Sequence, residues 1–227
     1  MAATQEASPS RRSSRVCTSI DLEDLGLRRR PLLGADPQRW LGETEQRFAA
    51  LRTRGGYAIS ADVERLVALS LERLAARWPE LERGPFTLVH DALHIQNFLL
   101  DLAADAEPRV IFLDWQDATL GHPVRDLCQL LGGNTRPDVQ RQHGPTLLRD
   151  YHRVLTEHGA GDWSHAQSAR DLSVAGARLA LGYVRFLSEY TARSPSEQTT
   201  LDHEWRRMLT MLQVTAEFAR VEGAGRS

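Results

Sequence analysis

Apolar residues return at three- and four-residue steps along most of this chain, and only a short central stretch breaks the rule. Val63, Leu66, Val67, Leu71, Leu74 and Trp78 share one face of a helix that Ser60 can cap and Pro79 is expected to end. Residues 37–51 read as a shorter helix marked by Trp40, Phe48 and Leu51 and stopped by Gly55-Gly56. Past Pro123 the helical spacing resumes over 124–131, 138–158, 164–190 and 196–221, with an interruption expected at Gly144-Pro145. The last segment carries Leu201, Trp205, Met208, Leu209 and Leu212 on one stripe, a core-facing signature. Between Gly84-Pro85 and Pro123 the period shortens. Residues 86–89, 98–102 and 109–114 are β-type runs, and the polar stretch 103–108 predicts that the last two pair as a hairpin. The pattern predicts a predominantly helical α+β fold with a β island between helices.

Composition changes this picture at the ends of the chain and in its chemistry. Residues 1–35 begin Ser-, Ala- and Arg-rich without apolar periodicity and are expected to be disordered or loose. Residues 36–222 read as one domain and 223–227 as a flexible tail. A net charge of −2 gives no reason to expect nucleic acid or a membrane surface as partner, and no apolar run approaches the ~20 residues of a membrane span. Cys17 and Cys128 make no disulfide framework, so a reducing, cytoplasmic setting is expected, with Cys128 a buried apolar residue. All 28 basic residues are arginine. No mechanism that needs a lysine amine can be built from this sequence.

The β island holds the candidate chemistry. Phosphoryl transfer needs a carboxylate to orient the attacking hydroxyl and oxygen ligands to hold Mg²⁺ against the phosphates. Kinase-type enzymes write these as His-x-Asp-x-x-x-x-Asn between short strands, with a metal-binding Asp after the next hairpin. Here His90 and Asn97 are seven apart, and Asp114 ends an apolar strand where a carboxylate is costly without a partner or metal. The run His90-Asp91-Ala92-Leu93-His94-Ile95-Gln96-Asn97, with Asp114-Trp115-Gln116 downstream, resembles the aminoglycoside phosphotransferase and choline kinase-like superfamily. Asp114-Trp115-Gln116 is most similar to its ecdysteroid kinase-like branch, and the likeness extends over roughly 36–222. The resemblance implies the C-terminal lobe of a protein-kinase-like fold, ATP and Mg²⁺ as cofactors, and a small-molecule hydroxyl as acceptor. It makes Asn97 and Asp114 the metal ligands. His90 would shape the loop, Asp126 would brace it from the next helix, and His94 and Gln116 would support it.

Two departures accompany the match. The family's catalytic Asp falls at Ala92, whose methyl group can neither accept a proton nor orient a hydroxyl. Asp91 is displaced by one residue and is a poor substitute. Only 35 residues precede Asp36, without alternating strands or lysine, so the nucleotide-clamping lobe is expected to be missing and ATP affinity low. The surface such a lobe would cover, around Trp115, Phe98 and the helix at 36–51, is expected to be exposed. Self-association, or a lobe supplied by a separate chain, follows from that. The sequence thus predicts a phosphotransferase-family chain of impaired activity. A non-catalytic binding module using Trp163, Tyr183 and Trp205, and a metal-dependent hydrolase using His90, Asp91, His94 and Asp114, compete with it.

Overall fold

A computed structural model describes residues 26–102, 109–133, 135–159 and 163–224. The expectations for the head as far as residue 25, for 103–108 and for the last three residues lie outside that set. Among these residues, six α-helices and four short strands follow in order: α1 (Pro37–Arg54), α2 (Ala61–Leu81), β1 (Thr87–Val89), β2 (Phe98–Asp101), β3 (Arg109–Phe112), β4 (Thr119–Gly121), α3 (Val124–Cys128), α4 (Pro137–Glu157), α5 (His165–Glu189) and α6 (Pro195–Ala224).

Local chemistry accounts for the helix starts. Asp36 caps α1 by accepting from the Arg39 N–H at 3.0 Å, with Pro37 as first helical residue. Ser60 caps α2, and Ser164 with Gln167 forms a reciprocal capping box on α5. Pro79 does not end α2, because it stands in the last turn, where a single lost hydrogen bond is tolerated. The interruption expected at Gly144-Pro145 is absent as well. Helix α4 runs through it, with Gly144 buried against the Phe218 ring and Leu131. The helix expected over 124–131 is divided: α3 ends at Cys128 and a π-type turn covers Gln129–Gly133.

The core lies around α5. This helix buries Leu172, Ala177, Ala180, Leu181, Val184 and Leu187, and α1, α2, α3 and α6 pack on it. Two glycines allow the approach of α6. A Cβ on Gly176 would meet Thr215 Oγ1 at 2.5 Å, and one on Gly132 would overlap the Met211 side chain. The strands form two separate antiparallel ribbons, β1 with β4 and β2 with β3. The second is the expected hairpin, with Leu99 opposite Ile111 and Leu100 opposite Val110. The first was not legible, because β1 and β4 pair across the 29 residues of loop and hairpin between Val89 and Thr119.

Two expectations are corrected. Residues 26–35 are packed rather than loose. Leu32 and Leu33 are buried, and Arg29 bridges to Leu120 of β4, so apolar burial holds the segment to the domain. Helix α1 is not an open sticky face either, since Leu41 and Leu51 are buried and Trp40 lies under the Arg178 and Arg185 guanidiniums. Exposure is concentrated instead on the β2–β3 hairpin, where Leu99, Leu100, Val110, Ile111 and Phe112 are each more than 40% exposed, and on Trp115 beyond it.

Candidate functional site

The loop after β1 is held by side chains from α3 and the turn behind it. The Asp126 carboxylate accepts from the backbone N–H of His90 at 2.7 Å and of Asp91 at 2.9 Å. Burial pushes this carboxyl above its ordinary range, against the opposing pull of the two N–H groups. Gln129 adds a second clamp: its amide oxygen accepts from the Leu93 N–H at 2.7 Å and its amide nitrogen donates to the Asp91 carbonyl at 2.8 Å. Four bonds from one helix end thus fix residues 90–93. Asp126 was singled out from the sequence. Gln129 was missed, although it stands three residues past Asp126 and so on the same helical face.

The loop is tied to the hairpin by a second chain of bonds. His90 is buried, and its Nε2 lies 2.7 Å from the Leu113 carbonyl, with the Trp115 ring packed beside it at 4.7 Å. The Leu113 N–H donates to the Asn97 carbonyl at 2.9 Å. His90, Asn97 and Asp114 therefore converge on one small region, because Leu113 bonds both of the first two and immediately precedes the third. The His94 carbonyl accepts from the Asn97 N–H at 2.8 Å, closing the 3₁₀ turn Ile95–Asn97.

Asn97 is buried, and its Nδ2 donates to the Ala92 carbonyl at 3.0 Å and sits 3.3 Å from His94 Nε2. Anchoring the nitrogen leaves Oδ1 as the side chain's uncommitted oxygen among the described residues. Asp114 has a left-handed backbone, φ 61°, and its carboxylate has no hydrogen-bond partner among the described residues. Gln116 is exposed on the turn Trp115–Asp117. Asp91 also has a left-handed backbone, φ 60°, and its side chain is claimed elsewhere. Arg125 Nη2 binds one oxygen at 2.6 Å and Arg30 Nη1 the other at 2.7 Å. Neither arginine was singled out from the sequence, and Arg30 is brought there only by the packing of residues 26–35.

The competing sites do not assemble in the same way. Among the described residues no three His, Cys, Asp or Glu side chains are grouped to hold a metal ion, and His90 and His94 do not share a helix. Trp163 and Trp205 are core residues, the first donating from its indole N–H to Asp171 at 2.7 Å, the second stacked on Tyr57 at 4.7 Å. Tyr183 is partly buried against the same core.

The sequence model of the ecdysteroid kinase-like family matches residues 41–160, just over half of the chain, and the chain belongs to that family, a branch of the protein-kinase-like and choline kinase-like superfamily. No curated protein and no solved structure matches it. Among the described residues no helix is long and apolar enough to cross a membrane.

Proposed function

We propose that this chain is the C-terminal lobe of an ATP-dependent small-molecule phosphotransferase whose magnesium loop is in place and whose acceptor-activating carboxylate is absent. One observation carries the reading. Asn97 Nδ2 is taken by the Ala92 carbonyl, which leaves Oδ1, and the Asp114 carboxylate has no partner among the described residues; Leu113, bonded to the Asn97 carbonyl and next to Asp114, brings these two oxygen donors into one region. Such a pair fits Mg²⁺, a hard cation that takes one or two protein oxygens and completes its shell with phosphate and water. Bound there, the ion would neutralise charge on the nucleotide phosphates.

The rest of the chemistry falls to the chain itself. His90 and Asp126 hold the loop, and Ala92, where the family's loop carries its catalytic carboxylate, would offer an acceptor no base. Asp91 does not replace it, because both of its oxygens are bound by arginine. Turnover is expected about 10²–10⁴-fold below that of a loop carrying the carboxylate. With no lysine to pair the phosphates, nucleotide binds weakly. The acceptor is a hydroxyl on a small molecule.

Thermal unfolding with ATP and Mg²⁺ tests the reading on this chain, on Ala92→Asp and on Asp114→Ala. A magnesium-dependent stabilisation by ATP that disappears in Asp114→Ala, with phosphate release or transfer gained in Ala92→Asp, is the expected result. If none of the three proteins responds to nucleotide, the proposal is wrong.

A further inference from the structure

Beside the loop, on the flank where Asp91 points, lies a cavity of about 250 Å³ lined by Arg30, Leu32, Asp91, Arg125, Gln129 and Arg178 among others. Three guanidiniums face it against a single carboxylate. Asp91 takes one hydrogen bond from Arg30 and one from Arg125, and Arg125 gives another to the Arg30 carbonyl at 3.1 Å. Arg178 is different. Its Nε donates to the Leu32 carbonyl at 2.8 Å and its plane lies 4.5 Å over the Trp40 ring, but its two terminal nitrogens donate to nothing among the described residues.

Both inner arginines are accommodated by missing side chains. A Cβ on Gly182 would sit 2.9 Å from Arg178 Nη1, and one on Gly121 would sit 3.2 Å from Arg125 Cδ. The packing makes room for two cations, of which Arg125 is paired with Asp91 while Arg178 has no carboxylate bound to it among the described residues. Burial, with Arg125, Arg185 and Arg30 close by, lowers the Arg178 guanidinium to about 10 despite the pull of Asp91. A buried charge with spare donors is costly until an acceptor arrives. A planar guanidinium pre-oriented on an aromatic ring is suited to an oxyanion, which it can bind through two parallel N–H groups.

We infer that this cavity is a binding site for an oxyanion, a phosphate or carboxylate group on a small ligand, held by Arg178 with Arg30 and Arg125. The volume admits such a group with a short extension, since one liquid water occupies about 30 Å³. The site shares its wall with the loop through Asp91, so an anion that draws Arg30 or Arg125 away from Asp91 acts on the residue next to position 92. It does not depend on magnesium or nucleotide, and a cationic ligand is excluded.

Thermal unfolding in EDTA tests it, comparing inorganic phosphate and acetate with chloride at equal ionic strength. The expected result is a concentration-dependent rise in melting temperature with phosphate or acetate beyond chloride. The stronger of the two names the ligand chemistry. In Arg178→Met, which keeps the apolar stem on Trp40, apparent affinity falls about tenfold or more. Arg30→Met, at a largely exposed position that folding tolerates, weakens it as well. Asp114→Ala leaves it unchanged. No effect beyond chloride, or an effect that survives both arginine substitutions, overturns the inference.

Discussion

At position 91 the backbone adopts a left-handed conformation that suits glycine and, among other residues, asparagine and aspartate. That geometry turns the carboxylate away from the loop's working side and toward Arg30 and Arg125. A one-residue displacement of a carboxylate is thus a change of partner as well as of position. The strongest single-residue dependence belongs to Asp126, which satisfies two backbone N–H groups at once. An Asp126→Asn change keeps the shape but sets an amide N–H₂ against a donor. It is expected to cost about 1–3 kcal/mol, read by chemical denaturation. Cys128 gives a second prediction at this scale. It is buried, and burial drives its thiol far above the ordinary range. In a Cys17→Ser background Cys128 is expected to resist a thiol reagent at pH 8 while folded and to react once denaturant is added. Rapid native labelling would contradict the packing.

Among the elements, the β2–β3 hairpin is the exception to ordinary burial. Leu99 and Ile111 pair on one face and Leu100 and Val110 on the other, and both faces are open. An exposed apolar ribbon is a template for association. The chain is expected to form concentration-dependent oligomers in light scattering and to bind an apolar dye. A Leu99→Thr/Ile111→Thr pair retains strand propensity and is expected to reduce both signals while changing stability by about 0.5 kcal/mol per site or less. A monodisperse monomer without dye binding would remove the expectation. Helix α5 lies at the other extreme, enclosed by its neighbours along most of its length.

For the molecule as a whole, stability rests on the seam between α5 and the helices around it. Leu181 is fully buried in it, and Leu181→Ala is expected to cost about 2–5 kcal/mol in a denaturant titration. A bulkier residue at Gly132 would collide with Met211 and separate α6 from the turn after α3. That turn carries Gln129, so the damage would reach the loop at Leu93. The core and the candidate site are coupled through this short length of chain.

The helices and the β2–β3 hairpin were readable in the sequence because local signals encode them, while His90, Asn97 and Asp114 were singled out by a motif that runs from position 90 to position 114. Caps, a 3.6-residue period and short apolar runs act within about ten residues of one another. Tertiary structure alone decided the rest. Residues 26–35 join the domain through Leu32 and Leu33, β1 finds β4 across a long loop, and Arg30 and Arg178 reach one cavity from positions 148 residues apart. Nothing in the local period announces such meetings, since long-range burial and charge are settled only when the core closes.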